Sequence, residues 1–315
     1  MTTSPLAPAD RPRPRRKIPR GWIPDQHGAW AMLTIPLVLG IVLGHPTVVH
    51  IPLILAWYAG YFAFYATGVW LKSGRKSRYF PPVRAYAIAA AVPVAALLIM
   101  NPYVAIWAAP YAPLLAVSLY CSHRRADRSL LNDTVTVVAA TLMLPLAWSL
   151  GQLPADLVWQ NFSADVANEI AELNRGGAAT LSLLSTSGFS PYPALSPLAT
   201  LPALGFVVWQ ATALLGVYFL GTVFYVKTMI RERGSRAYYA ASVGYHVAAI
   251  FVPFVLASGA RGALHDGGAA VFAAFFTMLA ARAVLMPQVG GTPRQVGVGE
   301  LVASGVLMLL VLMAF

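Results

Sequence analysis

The sequence predicts an all-α fold, a polytopic bundle of nine transmembrane helices. The chain of 315 residues is 58% hydrophobic and only 10% charged, whereas soluble domains carry roughly 25% charged residues. Its apolar residues fall into nine runs, most of roughly 16–25 residues, the length that crosses about 30 Å of hydrocarbon. Counting these runs as crossings places all but two of the 22 Lys and Arg residues on one side of the membrane.

The predicted spans follow one another with short connections. They cover residues 29–46, 49–71, 85–100, 103–121, 134–150, 201–226, 238–258, 269–286 and 299–315. Basic residues precede the first span and follow the second, fourth, sixth and eighth, while Arg175 and Arg261 fall on the other side. Because short loops rich in Lys and Arg face the cytoplasm, we expect the N-terminus in the cytoplasm and the C-terminus outside.

Two segments outside the spans have their own character. Residues 1–24 are rich in Pro and Arg, which predicts a disordered tail near anionic lipid headgroups on the cytoplasmic face. Residues 25–315 are expected to form one transmembrane domain. Its long outer loop, 152–200, predicts an amphipathic interfacial helix, because apolar residues recur there every four positions at Val158, Phe162, Val166 and Ile170.

The charge pattern argues for lipid as a partner and against nucleic acid. The net charge is +11, but the cations lie between apolar runs, where they orient the chain and meet anionic lipid. Cys121 is the only cysteine, which excludes an intramolecular disulfide and a cysteine-based metal site. The sequence contains no Asp-rich run, P-loop or HExxH motif, so we predict no metal and no cofactor.

The first span begins with an unusually polar motif, Pro24-Asp25-Gln26-His27-Gly28-Ala29-Trp30-Ala31-Met32. Asp25 is suited to cap the helix, and Trp30 is suited to the headgroup region. One interpretation is the mouth of a cytoplasm-facing cavity, formed by Asp25, Gln26, His27 and Trp30, in which His27 carries a proton or binds a polar substrate. The alternative is a helix cap followed by an interfacial anchor, and spacing alone leaves both open.

Basic residues at the inner span ends are candidates for anion binding. Three pairs are four residues apart, Lys72 with Lys76, Arg124 with Arg128 and Lys227 with Arg231, so each shares a helix face if its helix continues past the membrane surface. Arginine binds phosphate through two hydrogen bonds, and lysine adds a compact charge. The candidates are Lys72, Arg75, Arg78, Arg124, Lys227 and Arg231. The alternative is that these residues only orient the chain.

Few ionisable residues fall inside the spans. His246 and Arg282 are the main ones, and Glu300 comes at the start of the last span. An ionisable group within a membrane indicates a functional site. The alternative is that these side chains extend to the nearby membrane surface.

Three segments resemble the YwiC-like bacterial membrane proteins. They are the first-span motif from Pro24 to Met32, the loop from Val226 to Ser235, and the late segment from Gln295 to Glu300. The resemblance covers most of the chain. It implies a multi-pass protein of the bacterial plasma membrane and assigns no residue a role.

The predicted architecture is also similar to that of the UbiA-type membrane prenyltransferases, which have nine spans and an inner-side site after spans 2 and 6. The segment from Tyr120 to Arg125 resembles their junction between spans 4 and 5. The loops at the corresponding positions, 71–78 and 227–236, contain no Asp-rich run. The two Mg²⁺-binding motifs of that superfamily are therefore missing. The resemblance therefore implies a UbiA-like arrangement in which cationic side chains replace the metal, and no catalytic residue carries over.

Together these features predict an integral membrane protein that binds an anionic-headed or isoprenoid amphiphile in a cytoplasm-facing cavity. It would act as an enzyme without a metal or as a binding protein. One alternative is a transporter or permease for a small polar solute. Transporters often show repeats and broken helices at the midplane, and this sequence shows neither clearly. The other is a non-catalytic membrane accessory protein.

Overall fold

A computed structural model describes residues 21–24, 28–152, 206–258 and 264–315. Every regular element within those ranges is helical, which confirms the all-α fold class. The predicted tail up to residue 20, the triplet Asp25, Gln26 and His27, and nearly all of the long outer loop lie outside the described residues.

The helices are numbered here in chain order. They are α1 (Ala29–Leu43), α2 (His50–Lys72), α3 (Phe80–Met100), α4 (Ala108–His123), α5 (Leu130–Thr141), α6 (Met143–Leu150), α7 (Phe206–Val226), α8 (Arg236–Ala249), α9 (Val252–Ala257), α10 (Asp266–Val289) and α11 (Pro293–Ala314). Short 3₁₀ helices precede α3 (Ser77–Tyr79) and α4 (Pro102–Trp107), and a π-helical turn (Lys227–Arg231) follows α7. The pairs α5–α6 and α8–α9 each form one continuous crossing.

Eight of the nine predicted spans have the length and apolar character of membrane-crossing helices within the described ranges. The exception is α1, an apolar helix of 15 residues. At 1.5 Å per residue it extends about 22 Å, less than the roughly 30 Å of a hydrocarbon core. The chain is therefore a multi-pass membrane protein whose first span is a short helix.

Ion pairs hold the basic connections together at one end of the bundle, called the basic end from here on. Lys72 pairs with Asp127 at 3.2 Å and so joins the α2–α3 connection to the α4–α5 connection. Lys227 pairs with Asp133 at 2.7 Å and joins the end of α7 to the start of α5. The α10–α11 connection lies at the same end, in contact with Arg233.

At the basic end, α2 and α4 end before either helix can include both cations of its predicted pair. Arg75 and Arg125 adopt φ angles of +62° and +58°, a left-handed conformation that terminates helices. As a result α2 ends at Lys72 and α4 ends at His123. The prediction that a continuous helix face carries both cations is therefore wrong for two pairs, Lys72 with Lys76 and Arg124 with Arg128.

Small residues bring α1 and α6 into close contact. A Cβ atom added to Gly44 would lie 2.5 Å from Trp148 Cα, and one added to Gly40 would lie 2.7 Å from Ala147 Cβ. On the facing helix, a Cβ on Gly151 would overlap the Gly44 carbonyl. Small residues four positions apart let membrane helices approach closely, and here they place α1 in contact with α6.

Candidate functional site

A polar cluster joins three long helices inside the bundle. Arg282 of α10 and Glu300 of α11 form an ion pair, with 2.7 Å between Nη2 and Oε1. The other carboxylate oxygen of Glu300 accepts hydrogen bonds from Tyr218 at 3.2 Å and from Thr222 at 2.7 Å, both on α7. The Tyr218 hydroxyl also lies 2.9 Å from Ser304 Oγ. We call these five residues the polar cluster.

The polar cluster lies well inside the ends of its helices. Arg282 precedes the end of α10 by about two turns, and Glu300 follows the start of α11 by about two turns, which is about 10 Å along each helix. Their side chains are 19% and 11% exposed. The Arg282 guanidinium lies 4.1 Å from the centroid of the Tyr225 ring. Charged groups at such depth are rare in membrane proteins and typically mark functional sites.

Helical spacing explains how the polar cluster forms. Tyr218 and Thr222 are four residues apart on α7, and Glu300 and Ser304 are four residues apart on α11, so each pair occupies one helix face. The sequence singles out Arg282 and Glu300 separately, and the structure pairs them. The hydroxyl partners were missed, although polar residues repeated every four positions in an apolar span were the available signal.

His246 lies next to the polar cluster on α8. Its side chain is buried, with 2% of the residue exposed, and Nδ1 lies 2.7 Å from the Ser242 carbonyl oxygen. Nε2 would lie 3.2 Å from a Cβ on Gly221, the neighbour of Thr222. The ring therefore occupies space that a glycine leaves free, and the alternative that His246 extends to the membrane surface does not hold.

A half-open cavity of about 210 Å³ lies at the basic end, between the α7–α8 connection and the end of α10. Gly290, with a φ of +81°, brings the backbone next to the Arg233 guanidinium; a Cβ there would lie 2.9 Å from Arg233 Nη2. The left-handed φ and this contact both favour glycine. The cavity combines polar and apolar walls, which include Arg233, Ser235, Arg236, Gln288, Met229, Pro287 and Tyr239.

Two side chains separate this cavity from the polar cluster. Met229 lines the cavity and packs in one buried group with Tyr225 and Ala283. The Arg282 guanidinium in turn lies over the Tyr225 ring. Contacts through Tyr225 and Met229 therefore link the Arg282 guanidinium to the cavity wall.

Two of the six predicted anion-binding residues are already paired with carboxylates. Lys72 binds Asp127, and Lys227 binds Asp133. Lys227 is only 5% exposed, and it also donates a hydrogen bond of 2.7 Å to the Arg128 carbonyl. In this structure both amines link connections at the basic end.

The other four candidates are exposed at the basic end, and none of them lines the cavity. They are Arg75, Arg78, Arg124 and Arg231. Trp30, the described member of the predicted cavity mouth, packs against Tyr58, Tyr61 and Phe62. The arginines that do line the cavity are Arg233 and Arg236, from the connection that contains Arg231.

Replacing Lys227 by methionine is expected to lower the free energy of unfolding by about 2 kcal/mol, because Asp133 would lose its buried partner. The matched control is Arg231→Met, one turn later and exposed, for which a change of at most about 0.5 kcal/mol is expected. Thermal unfolding of both proteins in detergent measures the difference. Equal stability of the two variants would contradict a structural role for Lys227.

The chain is similar to one protein family and to two bacterial proteins. The family described as YwiC-like protein matches residues 23–148. The "Uncharacterized protein YwiC" of Bacillus subtilis (strain 168) is 30% identical over 241 residues, which cover 75% of this chain and 79% of that protein. An "Uncharacterized protein" of Haemophilus influenzae is 26% identical over 297 residues, covering 93% of this chain and 98% of that protein. No solved structure matches, so the UbiA-like arrangement stays a prediction.

Proposed function

The chain belongs to the YwiC-like protein family, and we propose that it binds an amphiphile with an anionic head at the basic end of its bundle. The observation that carries this proposal is the cavity in which Arg233 and Arg236 face apolar residues. Guanidinium groups bind phosphate and carboxylate through paired hydrogen bonds, and the apolar wall suits the start of a hydrocarbon chain.

The size of the cavity supports a head rather than a whole lipid as its occupant. Its volume of about 210 Å³ is below the roughly 300–1,000 Å³ of pockets that enclose drug-sized ligands. The tail would continue along the outer face of α10, where Leu285 and Val289 are 58% and 80% exposed. An amphiphile bound this way keeps its chain in the bilayer and its charge at the basic end.

The exposed cations at the basic end would attract anions from a distance. Clustered charges of one sign raise the local concentration of opposite charges, a role that suits Arg75, Arg78, Arg124 and Arg231 better than direct contact in the cavity. The mouth predicted from Asp25, Gln26, His27 and Trp30 stays a separate prediction, because Trp30 packs against α2 and does not line this cavity. The basic end would face the cytoplasm, because short basic loops do so.

Lipid extraction from the purified protein, followed by mass spectrometry, tests this proposal. We expect an anionic or isoprenoid amphiphile to be enriched over the bulk membrane lipids. The double variant Arg233→Gln/Arg236→Gln should reduce that enrichment about tenfold or more, since each lost charge-assisted hydrogen bond costs about 1.5–3 kcal/mol. The control is Arg294→Gln, also exposed at the basic end but outside the cavity.

Two results would contradict the proposal. One is the absence of any enriched anionic or isoprenoid species in the extract. The other is equal enrichment in the cavity variant and the Arg294→Gln control, which would assign binding to the general charge of the basic end.

The polar cluster favours a second candidate function, transport of a small polar solute. Ionisable groups inside a bundle often line the paths of ions and substrates through a membrane, and Arg282 and Glu300 are such groups. Uptake into liposomes across a panel of metabolites tests this candidate. Saturable uptake that disappears in His27→Ala and in the double variant Arg282→Met/Glu300→Gln, which leaves no unpaired charge, would favour transport over binding.

A further inference from the structure

We propose that Glu300 takes up a proton when an anionic head reaches Arg282, so that ligand binding and protonation are coupled. This inference rests on the function proposed above and adds a site that lies deeper than the cavity. Its basis is a buried ion pair whose arginine contacts Tyr225, in the same buried group as the cavity residue Met229, below a cavity lined by two arginines.

Charge balance is the physical reason for coupling. In the described structure the positive charge of Arg282 and the negative charge of Glu300 compensate each other at 2.7 Å. An anion that approached Arg282 would place two negative charges on one cation, which is costly where water is excluded. A proton taken from solvent at the basic end restores the balance, because Arg282 then pairs with the ligand and Glu300 becomes a neutral acid.

Arg282 is linked to the cavity through its neighbours. Its guanidinium lies 4.1 Å from the centroid of the Tyr225 ring, and Tyr225 packs in one buried group with Met229, a cavity residue. The intervening Met229 has a flexible side chain that adapts readily to a new neighbour. The Nε–H group of Arg282 is buried and makes no hydrogen bond within the part of the chain that the structure describes.

The surroundings of Glu300 can accept its neutral form. Hydroxyl groups rotate to donate or accept, so Tyr218, Thr222 and Ser304 can all adjust to a protonated carboxyl group. The first helix, α1, packs near α11 and contributes no titratable side chain between its bounds. The titratable or charged groups that face Glu300 are Tyr218 and Tyr225 on α7, His246 on α8 and Arg282 on α10. The π-helical turn also packs against α11, and it carries Lys227 and Arg231.

The test measures proton uptake during ligand binding by the full chain in detergent. The probe is dioctanoyl phosphatidylglycerol, whose phosphodiester does not titrate near pH 7, with dioctanoyl phosphatidylcholine as the zwitterionic control. A pH-indicator dye in weakly buffered solution should report uptake of roughly one proton for each phosphatidylglycerol bound. Phosphatidylcholine should cause none.

Variants assign that proton to a residue. Glu300→Gln should abolish uptake and raise the affinity for phosphatidylglycerol about tenfold, because Arg282 no longer has a competing carboxylate. The matched control is Ser304→Ala, which removes a hydroxyl of the polar cluster and leaves both charges in place, and it should retain uptake. A purely structural role for Glu300 predicts weaker binding in Glu300→Gln.

The outcomes separate this inference from the function on which it rests. Binding of phosphatidylglycerol by the wild-type protein without proton uptake would overturn the coupling and leave the proposed function intact. Failure of phosphatidylglycerol to bind would overturn the coupling, and the proposed function would fall with it if the lipid extract also lacked an enriched anionic or isoprenoid species. Proton uptake that persists in Glu300→Gln would remove Glu300 as its site.

Discussion

Replacing Gly40 by valine is expected to remove most of the folded protein recovered from membranes. Even a single Cβ at this position would overlap the Leu144 carbonyl and lie 2.7 Å from Ala147 Cβ. Relief requires α1 and α6 to separate, because one of the overlapping atoms belongs to the backbone and cannot rotate away. Overpacking typically costs about 1–3 kcal/mol and occasionally more, and a loss of at least about 3 kcal/mol is expected here.

The control for this substitution is Gly60→Val in the middle of α2, where an added Cβ meets nothing within 4 Å. Both changes exchange glycine for valine inside a helix, so they differ in packing and share the same effect on helix propensity. Yield and thermal unfolding in detergent, followed by size-exclusion chromatography, measure both. If Gly40→Val were as stable as Gly60→Val, the close contact of α1 with α6 would be incorrect.

Replacing Arg282 by methionine is expected to destabilise the protein by about 3 kcal/mol or more. The change leaves the Glu300 carboxylate buried without its cation, and removal of one partner of a buried pair typically costs 3–5 kcal/mol. Arg294→Met, exposed in the first turn of α11, provides a control that removes the same side chain without uncovering a buried charge. Its expected effect is within about 0.5 kcal/mol.

The double variant Arg282→Met/Glu300→Gln should recover much of that loss. It contains no unpaired charge, and its glutamine still offers an oxygen to the Tyr218 and Thr222 hydroxyls. Thermal unfolding of the single and double variants gives the comparison directly. A double variant no more stable than Arg282→Met would show that packing against Tyr225, rather than charge compensation, dominates the contribution of Arg282.

The apolar runs predicted the crossings because the length of a span and the absence of charge are local properties of a sequence. The same runs overestimated the first span, which the sequence extends to residue 46 and the structure ends at Leu43. The positions where α2 and α4 end depend on the left-handed conformations of Arg75 and Arg125. Gly74, with a φ of +75°, was a local signal for the end of α2. Arginine is not a typical residue for that conformation, so nothing local marked the end of α4.

Local sequence patterns did not predict which side chains pair with each other inside the bundle. Lys227 and Asp133, like Arg282 and Tyr218, come together only after separate crossings pack. One long-range contact did leave a local signal, because Gly40 and Gly44 form the GxxxG spacing of close helix pairs. The segment with the cavity residues Arg233 and Arg236 was already recognised as basic. Sequence spacing did not distinguish these two from Arg231, which lies outside the cavity.

The two ion pairs at the basic end have a mechanical consequence. Lys227 attaches the end of α7 to the start of α5, and Asp127, on the preceding turn, attaches the same connection to α2 through Lys72. A displacement of the α7–α8 connection would therefore be transmitted to the second helix of the chain through two ion pairs. Spectroscopic labels on α2 and α8 would then report movement in one half of the bundle when a ligand is held in the other.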